Sequence, residues 1–93
     1  MSTAASDAGR DLPKVDFSTF VLSLATAALY QLGAVPNPES GAAVEADPLV
    51  ARQTLETLVM LREKTQGNLT EEERKLIDSL LYDLRLRYVE LTR

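Results

Sequence analysis

The sequence predicts an all-α fold of three helices, in which helices 2 and 3 form a long antiparallel hairpin and helix 1 is strongly apolar. Three apolar stretches of helical length and two sharp capping signals predict this class, and no stretch shows the alternation typical of a strand. A chain of 93 residues buries only a modest core. We therefore expect dimerisation to cover the apolar surface that helix 1 leaves exposed.

Two segments lack a helical pattern. Residues 1–15 are mostly small and polar, and we expect a disordered tail there. Residues 34–46 combine two prolines with Gly41, which predicts a long loop that either crosses the bundle or contacts another molecule. The rest of the chain, residues 16–93, is predicted to be a single helical domain.

Helix 1 is predicted over residues 17–32. Asp16 can accept hydrogen bonds from the free amides of the first turn, and Gly33 can adopt the left-handed conformation that ends a helix. No charged residue occurs from Phe17 to Leu32. A helix with so little polar surface needs more than one neighbour to cover it.

Helix 2 is predicted over residues 48–66. Aspartate is a favourable capping residue, and proline suits the first helical position, so Asp47 and Pro48 mark its start. Gly67 marks its end. A row of Ala51, Leu55, Leu58 and Arg62 follows one face of this helix.

Helix 3 is predicted over residues 71–92. Thr70 and Glu73 have the spacing of a capping box, and the short turn before them predicts the antiparallel hairpin. Apolar side chains then recur at steps of four and three, which predicts a core-facing stripe. The stripe consists of Ile77, Leu81, Leu84, Tyr88 and Leu91, and it is widened by Leu76, Leu80, Leu86 and Val89.

Composition argues against several function classes. The chain has no cysteine and no histidine, which weighs against zinc enzymes and against hydrolases with a nucleophilic triad, and we expect no cofactor or metal. The net charge is −4 and only five residues are aromatic, so neither a basic footprint nor a stacking platform for nucleic acid is expected. The lack of cysteine fits a cytoplasmic location.

The apolar stretch over residues 17–32 admits several readings. It is shorter than the roughly twenty residues of a membrane span, and the residues before it lack the basic character of a secretory signal. We expect instead that helix 1 packs between its own hairpin and a second copy. The association residues predicted for this contact are Phe17, Phe20, Val21, Leu24 and Leu29. We expect the face with Phe20 and Leu24 to pack against the hairpin. Leu22, Ala25 and Tyr30 would then need another surface to bury them.

The most suggestive polar set lies on helix 3. Asp78, Tyr82 and Arg85 are three or four residues apart, so they share one helix face and could line a polar pocket. The alternative is surface ion pairing beside a tyrosine whose hydroxyl reaches the edge of the core, and we favour it.

Three blocks together carry a resemblance to a known family. They are FSTFVLSLATAALYQLG, VPNPESG and LREKTQGNLTEEERKLIDSLLYDLRLRYVEL. Over residues 15–91 they resemble a bacterial family of domains of unknown function, number eighteen forty-four. The resemblance implies a small, cytoplasmic, wholly helical bacterial protein, and it supplies no activity, cofactor or catalytic residue.

The preferred hypothesis is a non-enzymatic, homo-oligomeric helical module, with a dimer favoured, that also binds an unknown protein partner. A second hypothesis is a peripheral membrane protein whose helix over residues 17–32 lies on a bilayer surface. Such helices normally carry a basic face, which this one lacks. A third hypothesis is a small enzyme that uses the polar set of helix 3.

Overall fold

The computed structural model describes Leu12 and residues 14–93 and contains three helices. They are α1 (Phe17–Gln31), α2 (Pro48–Lys64) and α3 (Glu71–Thr92). Each helix packs against the other two, and the described residues include no strand. The predicted all-α, three-helix class is therefore confirmed. The predicted tail falls largely on residues outside the described part of the chain and stays a prediction.

Side chains cap the start of each helix. The Asp16 carboxylate accepts a hydrogen bond from the Thr19 amide at 2.7 Å, and the Asp47 carboxylate accepts one from the Val50 amide at 3.4 Å. At α3 the capping box is complete, because the Thr70 hydroxyl accepts from the amide of Glu73 at 3.1 Å while its carboxylate accepts from the Thr70 amide at 2.8 Å. The sequence signals for these caps are confirmed.

Helix α1 ends at Gln31, one residue earlier than predicted, because a Schellman motif replaces the last helical hydrogen bonds. The Gly33 amide donates to the Tyr30 carbonyl and the Ala34 amide donates to the Leu29 carbonyl, both at 2.9 Å. Gly33 has a φ of 71°, the left-handed conformation expected of it. The glycine thus satisfies the carbonyls of the final turn and reverses the chain.

Helix α2 ends at Lys64, two residues before the predicted Gln66. The Thr65 hydroxyl donates to the Leu61 carbonyl at 2.7 Å, and the Gln66 amide bonds the carbonyl only three residues back, that of Glu63. These contacts tighten the last turn out of α-helical geometry.

The loop between α1 and α2 closes on itself. The Asp47 amide donates to the Gln31 carbonyl at 2.7 Å, so the two ends of the loop are adjacent. A Cβ atom at Gly33 would lie 3.1 Å from the Val44 carbonyl oxygen, which shows how tightly the loop returns over the end of α1. The Thr54 hydroxyl also donates to the Gln31 side chain at 2.6 Å. The loop therefore joins the two helix ends as a compact Ω-type turn.

The core lies where the three helices meet. Its buried members are Val21, Ala25, Ala28 and Leu32 from the α1 region, Ala51, Leu55 and Leu58 from α2, and Ile77, Leu81 and Leu84 from α3. Three alanines are included, and their small side chains let neighbouring helices approach closely.

The buried face of α1 differs from the expected one. Ala25 is buried by its own chain, whereas Phe20 is about half exposed. The row of Val21, Ala25, Ala28 and Leu32 keeps helical spacing while presenting small side chains, so it packs closer than a row containing Phe20 could. Two residues of the widened α3 stripe, Leu86 and Val89, also lie outside the core.

Candidate functional site

The outward face of α1 carries no charge. It consists of five exposed residues, Thr19, Phe20, Leu22, Ser23 and Thr26, which we call the α1 face. The Ser23 hydroxyl donates to the Phe20 carbonyl at 2.8 Å and the Thr26 hydroxyl donates to the Leu22 carbonyl at 2.9 Å. Because these hydroxyls bond to their own helix, a surface covering the face would not strip their hydrogen bonds.

The five predicted association residues are not equivalent. Val21 has no exposed surface and belongs to the core. Phe17, Leu24 and Leu29 are partly buried and pack against that core. Phe20 alone among them is counted as exposed, at 49%. A second chain could therefore reach Phe20 directly, and the others only at their edges.

A shallow groove of about 290 Å³ lies at the start of α1. It is lined by Lys14, Val15, Asp16, Thr19, Phe20 and Ser23. Val15 projects almost wholly into solvent, with 95% of its surface exposed. The groove thus extends the apolar surface of the α1 face toward the N-terminal side of the helix.

The predicted polar set does gather in one place. Asp78, Tyr82 and Arg85 all line an open depression of about 410 Å³ between α2 and α3. The other lining residues are Val59, Arg62, Glu63 and Leu81. Tyr82 stands at the rim with 69% of its surface exposed. The depression is a surface feature rather than an enclosed pocket.

Two arginines hold the Asp78 carboxylate. The Arg62 guanidinium bonds both carboxylate oxygens, at 3.2 Å for Nη2, and Arg74 donates to the same carboxylate at 3.4 Å. The hydrogen bond from Arg62 is the main reason that the pKa of Asp78 lies below its usual value, and the positive charges of both arginines lower it further. Partial burial acts in the opposite direction. Asp78 is thus held ionised, which is unfavourable for a proton-transfer group near neutral pH.

Sequence reasoning missed the partners of Asp78. Arg62 continues the row of Ala51, Leu55 and Leu58, whose other members are buried, and an arginine on such a row signals a need for an acidic neighbour on the facing helix. Helix α3 also carries an ion pair between Asp83 and Arg87, four residues apart, at 3.1 Å. Within the described part of the chain, no group of three or more acidic side chains is placed to hold a metal ion.

Helix α3 also exposes an apolar row. Tyr82, Leu86 and Val89 follow one another at steps of four and three, and we call them the outer row. Leu86 is 49% exposed and Val89 is 53% exposed. The sequence pattern placed the last two in the core stripe, because exposure cannot be distinguished from burial on a helix that is apolar on two sides.

Together, the fold and these surfaces define a small all-α domain that offers apolar faces and one ion-paired depression. The chain belongs to the family described as Domain of unknown function (DUF1844), whose match extends over residues 14–90. The resemblance seen in the sequence is therefore confirmed. No curated protein and no solved structure matches the chain. None of the helices in the described residues is both long and apolar enough to cross a membrane.

Proposed function

We propose that this protein is a non-enzymatic helical module that self-associates through the α1 face and binds another protein as an assembled unit. The observation that carries the proposal is the absence of charge on an exposed helix face. Phe20 and Leu22 are each nearly half exposed there, with only hydroxyl-bearing side chains between them. Apolar surface of this kind on a small domain commonly marks a protein interface.

The composition of the α1 face suits close contact with a second helix. Thr19, Ser23 and Thr26 form a low ridge, and the larger Phe20 and Leu22 flank it on either side. The hydroxyls of Ser23 and Thr26 are already satisfied within the helix. Covering this face therefore removes apolar area from water at little cost in lost hydrogen bonds. A two-fold dimer is the simplest arrangement that covers it on both chains.

We infer in addition that α2 and α3 run antiparallel as a hairpin. Arg62 contacts Asp78, and a small pocket nearer the turn is lined by Gln66 and Arg74. From Arg62 to Gln66 the chain runs forward, whereas the facing residue on α3 changes from Asp78 back to Arg74, and this supports the antiparallel orientation. The six residues between the helices form a connection of the length usual for antiparallel neighbours.

The polar depression supports a structural role rather than catalysis. Its only aspartate, Asp78, is held ionised by Arg62 and Arg74, and its tyrosine stands exposed at the rim. A catalytic acid or base works best with a pKa near the operating pH, whereas the pKa of Asp78 is lowered. We accordingly assign the pair to tying α2 to α3. We place the protein in the bacterial cytoplasm, as a cysteine-free chain and the family resemblance suggest.

Sedimentation velocity at micromolar concentration tests the self-association. We expect the unaltered chain to exceed its monomer mass of 10.2 kDa. Phe20→Ser with Leu22→Ser should lower that mass while leaving helical content unchanged, because both side chains lie outside the core. The matched control is Leu49→Ser, an exposed leucine on α2 with 77% of its surface exposed, which should not alter the mass.

Two results would contradict the proposal. One is a monomer throughout the concentration range, and the other is a mass that the paired α1 substitutions leave unchanged. Flotation with anionic vesicles distinguishes the membrane-surface hypothesis. Strong binding to vesicles that the paired substitutions abolish would favour that hypothesis over self-association.

A further inference from the structure

The outer row of α3 has the spacing of a coiled-coil seam. From Tyr82 to Leu86 is four residues and from Leu86 to Val89 is three, the alternation of d and a positions in a heptad. All three side chains are exposed, so the core of the single chain does not account for them. In this register Arg85 takes the g position and Glu90 takes the e position.

We infer that the outer row pairs in parallel with the outer row of a second copy, about a two-fold axis that runs along α3. In a parallel pair, each g residue faces the e residue five positions later on the other chain. Arg85 of one chain then faces Glu90 of the second copy, and symmetry forms the same pair twice. The same rule places Asp78 opposite Asp83 of the second copy, but Arg62 and Arg74 already offset the charge of Asp78. The Arg85–Glu90 pairs therefore favour a second copy in the parallel direction.

The opposite orientation lacks this complementarity. An antiparallel pair brings the same side of the row together from both chains. The side with Asp83 and Glu90 would then meet itself, and four carboxylates would face one another across the contact. Repulsion of this kind is how coiled coils exclude a wrong alignment.

The ion pairs within the chain leave Arg85 available. No carboxylate among the described residues lies within ion-pairing distance of Arg85. The Glu90 carboxylate forms an ion pair with Arg93 of the same helix at 3.8 Å, and both side chains are 70% exposed. A pair this exposed contributes little, so Glu90 can exchange it for Arg85 of a second copy.

The polar depression lies beside the outer row on the side of Arg85. Its walls include Val59 and Leu81, and its charges are those of Arg62, Glu63, Asp78 and Arg85. Because Arg74 also contacts Asp78, the carboxylate there is shared between two guanidinium groups. The acidic side of a second copy would therefore lie over a rim where Glu63 and Arg85 have no ion-pair partner among the described residues. Of these two charges Arg85 attracts the acidic side and Glu63 opposes it.

This pairing is independent of the α1 face. If both operate, each chain has two different two-fold interfaces, which close most simply as a tetramer with mutually perpendicular axes. Disabling the α1 face then leaves a dimer of about 20 kDa, twice the chain mass of 10.2 kDa. The α3 pairing is best measured in that background, with Phe20→Ser and Leu22→Ser present.

Charge reversal at the two facing positions is the decisive experiment. In the α1-disabled background, Arg85→Glu alone and Glu90→Arg alone should each raise the dissociation constant of the dimer roughly tenfold, since each places like charges in both symmetric pairs. Arg85→Glu with Glu90→Arg should restore the original constant. The control Lys64→Glu, which reverses an exposed charge at the end of α2, away from the seam, should leave it unchanged. Sedimentation equilibrium measures all five chains.

Cysteine cross-linking reports the direction. The chain has no cysteine, so a single introduced thiol can only link to its own copy. A parallel pair places Val89 opposite Val89, and Val89→Cys should form a disulfide dimer under mild oxidation. The control Leu49→Cys should not.

Three results would overturn the inference. They are a monomeric α1-disabled chain, a double reversal that fails to restore the dimer, and a Val89→Cys chain that links no faster than Leu49→Cys. If the unaltered chain self-associates while the α1-disabled chain is monomeric, the proposed function stands and the α3 pairing fails. If the α1 substitutions change nothing but Arg85→Glu weakens the dimer, the α3 pairing stands and the α1 proposal fails.

Discussion

Helices α1 and α3 share one core, but their outward surfaces differ in charge. The α1 face has no charge, and two of its hydroxyls bond back to carbonyls of the same helix. Helix α3 carries charges along its whole length, several of them in pairs spaced three or four residues apart. Its apolar outer row is set among those charges.

The two helices obtain their stability in different ways. Helix α3 has a reciprocal capping box and local ion pairs, so much of what supports it lies within its own sequence. Helix α1 has a single capping carboxylate and no ion pair of its own within the described residues, and it relies on packing and on the returning loop. The proposed contacts with a second copy differ in the same way, because an uncharged face tolerates many registers whereas a charged row permits few.

Alanine substitutions of fully buried side chains should lower the free energy of unfolding most. Ile77→Ala on α3 should lower the free energy of unfolding by about 3 kcal/mol and Val21→Ala on α1 by about 2 kcal/mol, because both side chains are fully buried and Ile77 removes more volume. Urea unfolding at one fixed protein concentration measures both. An equal or reversed order would contradict the larger loss of buried volume expected at Ile77.

A smaller effect should separate two glycines that share a left-handed conformation. Gly33 ends α1 with φ 71°, and Gly67 precedes α3 with φ 88°. A Cβ atom at Gly33 would meet the loop at Val44, whereas one at Gly67 would meet nothing within 4 Å. We expect Gly33→Ala to cost about 2 kcal/mol and Gly67→Ala about 1 kcal/mol, measured by the shift in urea midpoint. Equal costs would contradict this prediction, because they would show that the loop at Val44 shifts to accommodate the added methyl group at no cost in free energy.

The smallest effect concerns pH and the ion pair that ties α2 to α3. The pKa of Asp78 is lowered in the folded protein, so its contribution to stability is complete above the unfolded value of 3.8 and is lost as pH falls through the folded value. The stability difference between the unaltered chain and Asp78→Asn should therefore shrink as the pH is lowered from about 5 to about 2. A difference that stays constant over that range would contradict the role given to Arg62. Arg62→Gln should reduce the pH dependence without abolishing it, because Arg74 still contacts Asp78.

Local signals in the sequence predicted the helix starts well. Asp16, Asp47 and Thr70 each act through a side chain that reaches an amide three residues ahead, so the information lies within one turn. Gly33 is similar, because the conformation it adopts depends on the missing Cβ atom. The family membership was also visible in the motifs of the chain.

The candidate surfaces were predicted less completely. The sequence brought Asp78, Tyr82 and Arg85 together on one helix face, but the partners that hold Asp78 come from a different helix or from one turn away. Likewise Phe20 and Val21 are neighbours of similar hydrophobicity, yet one is half exposed and the other is fully buried. A rotation of about 100° separates adjacent helical residues, and only the positions of the other helices decide which of them faces inward.

The residues of single helical turns specify that the chain is helical, where its helices begin and that α1 has no charge on any side. Those properties depend on side chains that act on their own or adjacent turns. The packing of the three helices against one another specifies the rest. It makes Val21, Ala25 and Ala28 the inner face of α1 and brings Arg62 to Asp78. It also leaves Leu86 and Val89 outside the core. Each of these depends on how helices far apart in the chain pack together, and packing is set by the fit of whole surfaces rather than by any single residue.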